Sequence, residues 1–168
     1  REPQIKHVSQ LIGEHTRIFL YGFGSSGLAA QEFQLRLLRL GMDAEAITEL
    51  HQMVLNEARI TNACLVIGIS LSGATRELID ALDRAKARGA AVIYLTSSNA
   101  EREKRTYEEI VLAPVKKNLE YGNVISPQFP ILLILDLIYA QLLKEDRRST
   151  EAQYDTHIWE RIKDYHVG

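Results

Sequence analysis

The chain has 168 residues, 46% of them hydrophobic and 25% charged, which is the balance of one ordinary globular domain and excludes a disordered or fibrous chain. Its 20 basic and 22 acidic side chains leave a formal net charge of -2, so the segment carries no overall field to hold a polyanion such as nucleic acid by itself. The single cysteine, Cys64, excludes a disulfide scaffold and a cysteine-rich metal site.

The predicted elements follow in chain order. Ile5, Val8, Leu11 and Ile12 suggest an N-terminal helix over 3–14. A β-rich run at Arg17–Tyr21 comes next. Helical spacing then places Ala29, Phe33, Leu37 and Leu40 on one face of Ser26–Leu40, and Gly41 stops that helix. A weaker strand is expected at Asp43–Ile47 and a strong one at Ala63–Ile69, where Cys64 packs as a small hydrophobe. Leu78, Ala81, Leu82 and Ala85 form the apolar face of a helix over Thr75–Arg88, closed by Gly89. Further strands are expected at Ala91–Thr96 and Glu109–Ala113.

Ile131–Leu143 is apolar nearly all round, too short to span a bilayer, and is expected to be buried between elements or between subunits. Tyr154, Ile158, Ile162 and Tyr165 make a stripe on a C-terminal helix over 150–166. Strand, helix and strand at this spacing predict an α/β fold, a three-layer αβα sandwich on a five-stranded parallel sheet with Rossmann- or flavodoxin-like topology. One domain over 1–168 is expected. The surplus of apolar helix surface predicts a homodimer or homotetramer. With no signal peptide and no membrane span in the sequence, the expected location is cytoplasmic. The chain opens on Arg1 rather than Met, and it is read as part of a longer protein.

Two loops carry the chemistry. Gly22-Phe23-Gly24-Ser25-Ser26-Gly27 follows the first strand and opens a helix, so its amide groups and hydroxyls lie at a positive helix end that favours an anion. The alternative is a tight turn with a serine cap. Ser70-Leu71-Ser72-Gly73-Ala74-Thr75 follows the third strand with three hydroxyls around one glycine. A helix cap needs one hydroxyl, whereas a phosphate needs several converging donors. Both loops sit at strand carboxyl ends, where an open parallel sheet binds its ligand. A small phosphorylated ligand is expected, with no metal or cofactor.

These two loops, Gly22–Ser26 and Ser70–Thr75, resemble those of the sugar isomerase (SIS) domain. The resemblance extends to Leu37-Leu38-Arg39-Leu40-Gly41, to Ala87–Ile93 and to Thr96-Ser97-Ser98-Asn99, and covers roughly Ile5 to Lys144. Glu49-Leu50-His51-Gln52 is similar to a segment of the RpiR-type transcription regulators. The resemblance implies that Ser26, Ser70, Ser72 and Thr75 grip the phosphate of a phosphorylated sugar or amino sugar, with Gly24, Ser25 and Gly73 close by. It places His51 and Ser126 near the sugar. The arginine that follows the serine in the regulator branch is absent from Val124–Pro130. It further implies an N-terminal helix-turn-helix domain, outside this chain, through which DNA would be bound.

Three functions remain open at this point. The first is an effector and dimerisation domain that senses a phosphosugar. The second is a stand-alone aldose–ketose isomerase, whose base would be Glu120 or His51, with Glu49 a third possibility. The third is a nicotinamide-dinucleotide protein using the glycine loop, with Glu45 or Glu49 on the ribose. That third function leaves the hydroxyl cluster at Ser70–Thr75 without a purpose.

Overall fold

The computed structural model describes residues 2–71, 76–97, 105–114, 126, 128–145 and 160–165. In order they form α1 (Glu2–Glu14), β1 (Arg17–Tyr21), α2 (Gly24–Arg39), β2 (Ala44–Ile47), α3 (Leu50–Asn56), a 3-10 turn (Glu57–Arg59), β3 (Cys64–Ser70), α4 (Arg76–Ala87), β4 (Ala91–Thr96), β5 (Glu109–Leu112) and α5 (Phe129–Glu145). The five strands make one parallel sheet in the order β2-β1-β3-β4-β5. Helices lie on both faces, which is the three-layer αβα arrangement expected.

Strand alternation sorts the core into two halves. Ile18, Leu20, Leu65, Ile67, Ile69, Ile93 and Leu95 face α1, α2 and α5. Phe19, Tyr21, Val66, Val92 and Tyr94 face the side of α4 and Met53 of α3. Every residue of β3 is buried, and up to its last residue, Ser70, the strand reads as a continuous apolar run rather than an alternating one. Gly41 (φ +76°) and Gly89 (φ +101°) end α2 and α4 in the left-handed region that favours glycine.

The structure extends the expected last apolar helix by two residues at its start. Phe129 and Pro130 belong to the first turn of α5, where a missing N–H costs nothing because first-turn amides have no intrahelical partner. Its Ile131, Ile134, Leu135, Ile138 and Leu142 are buried, whereas Leu133 and Leu137 are each 40% exposed. Residues 160–163 are helical, and Ile162 and Tyr165 of the expected C-terminal stripe are exposed. Tyr154 and Ile158 lie outside the described residues.

Glu108 fastens the outer part of the sheet. Its carboxylate accepts hydrogen bonds from the Val92 amide and from Lys86 Nζ, the latter at 2.8 Å, and its own amide donates to Val92 O at 2.9 Å. Burial works against the charged carboxylate, but the bonds from Lys86 and backbone amides more than offset it, and its pKa is lowered. A depressed carboxylate pKa stabilises the fold above the ordinary carboxylate range and loses that contribution as pH falls through the folded value. Glu108→Gln is expected to lower the melting temperature near neutral pH and to narrow its gap from the parent on acidification from about pH 5 to about pH 3. Thermal denaturation across that range checks this, and a gap that widens in acid sinks it.

Candidate functional site

Between β1 and β3 the strand order reverses. The chain leaving β1 enters α2 on one face, and the chain leaving β3 enters α4 on the other. The two connections therefore leave the carboxyl edge of the sheet toward opposite faces, and this edge is the position where open α/β sheets take their ligands. At this edge lie Gly22–Gly27 and, of the second hydroxyl-bearing segment, the described residues Ser70 and Leu71.

The first loop is pinned by close backbone packing. A Cβ on Gly22 would stand 2.8 Å from Ser26 O, and one on Gly27 would stand 2.9 Å from Gly22 O and 3.0 Å from Thr48 Cγ2. Gly24 has φ +54°. These contacts fold the loop back on the first turn of α2. The N-cap is Phe23, in extended backbone and with no side-chain cap, so neither serine is spent on capping. Ser26 is buried, Ser25 half-buried and Gly24 exposed.

The second loop is joined to the first. Leu71 N donates to Ser26 Oγ at 3.2 Å. Ser97, after β4, donates from its hydroxyl to Leu71 O. Ser70 is buried at the end of β3, in register with Thr96. The crevice is thus bordered by Ser25, Ser26 and Ser70, with Ser97 behind. Ser72, Gly73 and Thr75 lie outside the described residues, as does Glu120. Ser97 belongs to a segment matched in the sequence, but its tie to Leu71 follows from the neighbouring positions of β3 and β4.

His51 is exposed in the first turn of α3. Glu49, just before it, sits in extended backbone and makes no side-chain cap. Glu45 lies within β2 and forms an ion pair with Arg59 at 2.8 Å, so its carboxylate is already engaged. Ser126 is exposed ahead of α5; its carbonyl accepts from Phe129 N at 3.0 Å and its hydroxyl bonds the Gln128 side-chain oxygen. Below the crevice on the α3 side, Tyr21 Oη accepts from Asn56 Nδ2 at 2.8 Å. Burial raises the Tyr21 pKa against the lowering effect of that bond, and the phenol adds no charge. Among the described residues no group of three or more His, Cys, Asp or Glu is placed to hold a metal ion, and no helix is long and apolar enough to cross a membrane.

What these residues build is a set of hydroxyls beside a helix N-terminus at the carboxyl edge of a flavodoxin-like parallel sheet. The chain belongs to the SIS domain family, which it matches over residues 10–131. It is 31% identical over 141 residues to an uncharacterized HTH-type transcriptional regulator of Haemophilus influenzae, a match covering 84% of this chain and 49% of the relative. The chain spans about half the length of the curated regulators it matches. Its fold is that of the sugar isomerase domain of an RpiR transcription factor from Sphaerobacter thermophilus, with TM-score 0.79 at 19% identity over 98% of this chain and 87% of that one. It is also that of Vibrio vulnificus NanR, solved with ManNAc-6P, with TM-score 0.83 at 20% identity over 100% of this chain and 63% of that one.

The join between the loops is open to test. Ser26→Ala strands the half-buried Leu71 amide and is expected to cost about 1–3 kcal/mol of stability. Gly22→Ala forces the first turn of α2 away from the loop and is expected to cost at least as much. Urea denaturation measures both, and a Ser26→Ala protein as stable as the parent would show that the bond holds nothing together.

Proposed function

We propose that residues 1–168 form one phosphosugar-sensing domain of a cytoplasmic transcription regulator. The hydrogen bond from Leu71 N to Ser26 Oγ carries the reading, because it ties the two hydroxyl-bearing loops together at the point of strand reversal. The phosphate lies against Gly24, Ser25, Ser26, Ser70, Ser72, Gly73 and Thr75, and the sugar extends toward His51 and Ser126. Membership of the SIS family and the regulators among its relatives support this assignment. DNA is bound by a helix-turn-helix domain elsewhere in the protein, in line with relatives that are HTH-type regulators of about twice this length. The ligand is bound without being turned over, and no cofactor is required.

Hydrogen bonds to a charged group contribute about 1.5–3 kcal/mol each, so Ser70→Ala and Ser72→Ala are each expected to weaken binding of a sugar phosphate about tenfold to a hundredfold. Calorimetry with a panel of hexose and pentose phosphates measures this. A free sugar that binds as well as its phosphate sinks the assignment. NMR of the same mixtures is expected to show no aldose–ketose interconversion, and turnover abolished by Glu120→Gln or His51→Ala makes the protein an isomerase instead.

The domain assembles as a homodimer or homotetramer through the outer side of α5, where Phe129, Leu133 and Leu137 are 45%, 40% and 40% exposed. Sedimentation at micromolar concentration is expected to give a dimer or tetramer. A clean 19.0 kDa species ends that part of the proposal.

A further inference from the structure

At the β2 edge of the sheet a cavity of about 340 Å³ opens between β2 and α3, at the small end of the range for small-molecule sites. Glu45 and Ile47 supply one wall; they stand two residues apart on β2 and so share a face. Gln52, Leu55, Asn56 and Arg59 supply the other, a single stripe along α3 and the 3-10 turn that continues it.

Asn56 marks this cavity out. It is only 3% exposed and its Nδ2 donates to Tyr21 Oη at 2.8 Å, yet its Oδ1 has no hydrogen-bond partner among the described residues. A buried acceptor left without a donor is destabilising, and folded proteins almost always supply one from the chain, from water or from a ligand. Both signs of charge stand on the walls around it. Arg59 Nη1 donates to Glu45 Oε2 at 2.8 Å, and the guanidinium lies 5.1 Å from the centre of the buried Phe19 ring. These contacts hold the guanidinium in place while using one of its several N–H groups, and they leave Glu45 Oε1 for another donor. On the same stripe Leu55 is 62% exposed, an aliphatic side chain left to water.

We infer that this cavity binds a small zwitterion, an α-amino acid with an aliphatic side chain. Its ammonium donates to Asn56 Oδ1 and Glu45 Oε1, its carboxylate accepts from Arg59, and its side chain covers Leu55. A simple amine leaves the guanidinium without an anion, and a simple acid leaves Asn56 without a donor. Glu45 and Arg59 together carry no net charge, which matches a ligand with one charge of each sign. The site stands apart from the phosphosugar reading, because it shares no residue with the two hydroxyl-bearing loops.

NMR titration of the isotope-labelled protein with L-leucine, leucinamide and N-acetyl-L-leucine at millimolar concentration provides the test. L-leucine is expected to move the Asn56 side-chain amide signals and the Leu55 methyl signals while the Gly24 and Ser25 amides stay in place. Leucinamide lacks the carboxylate and N-acetyl-L-leucine lacks the ammonium, so each is expected to bind about tenfold or more weakly. Arg59→Gln is expected to weaken L-leucine by a similar factor and to abolish its advantage over leucinamide. Leu55→Asp changes an exposed side chain and is expected to remove the shifts; circular dichroism monitors the fold of both variants. Equal binding of the three compounds overturns the zwitterion site. So does the absence of any shift at Asn56 and Leu55 with L-leucine or another common amino acid, the result given by a lone water on Asn56. Shifts confined to Gly24 and Ser25 place the compound at the first loop and overturn the site as well.

Discussion

Burial of the parallel sheet on both faces is the constraint on which the rest of the molecule depends. A strand such as β3, buried along its whole length and without a polar side chain from Leu65 to Ile69, cannot leave either side to water, so helices must cover both. The chain meets that demand by sending the connection after β1 over one face and the connection after β3 over the other. Neighbouring strands then deliver diverging loops, and a crevice forms where no side chain is needed to hold it open. The position of the candidate site is a consequence of covering the core.

Local chemistry then decides what the crevice can hold. Close packing at Gly22 and Gly27 brings the first loop against α2 and against Thr48, and the Ser26 and Gly27 amides donate back to Phe23 O at 3.0 and 3.2 Å. Phe23 takes the cap position without a side-chain bond, and this leaves the serine hydroxyls for other partners. Ser26 spends its oxygen on Leu71, so its part is to hold the two loops in register, while Ser25 and Gly24 are the more accessible neighbours. The tie joins the end of β3 to the start of α2 without the help of a ligand.

The same layering accounts for the apolar surface left on α5. Its inner residues complete the core over the sheet, but a helix apolar nearly all round presents more surface than the sheet and α1 and α2 can cover. Leu133 and Leu137 remain open on its outer side, while Arg36 reaches from α2 to Asp136 and bridges the other edge. One helix thus contributes to the core, to the wall of a groove and to an apolar outer face.

The sequence alone determined the periods of the elements, the parallel α/β class and the two loops, because each depends on residues close together in the chain. Alternation and helical spacing are local, and so are Gly22–Gly27 and Ser70–Thr75. The short helix α3 was legible only as a cap region near His51, since seven residues carry too little periodicity to stand out. Only the tertiary structure decided that β1 and β3 are neighbours, that Ser26 bonds Leu71 and Ser97 bonds the same residue, and that Glu32, Arg36 and Asp136 share one groove. Apart from Glu32 and Arg36, which are one helical turn apart, those partners are separated by tens of residues, and no local pattern records which of them will meet. Their meeting is set by the order in which the strands pair and by the face each crossover takes.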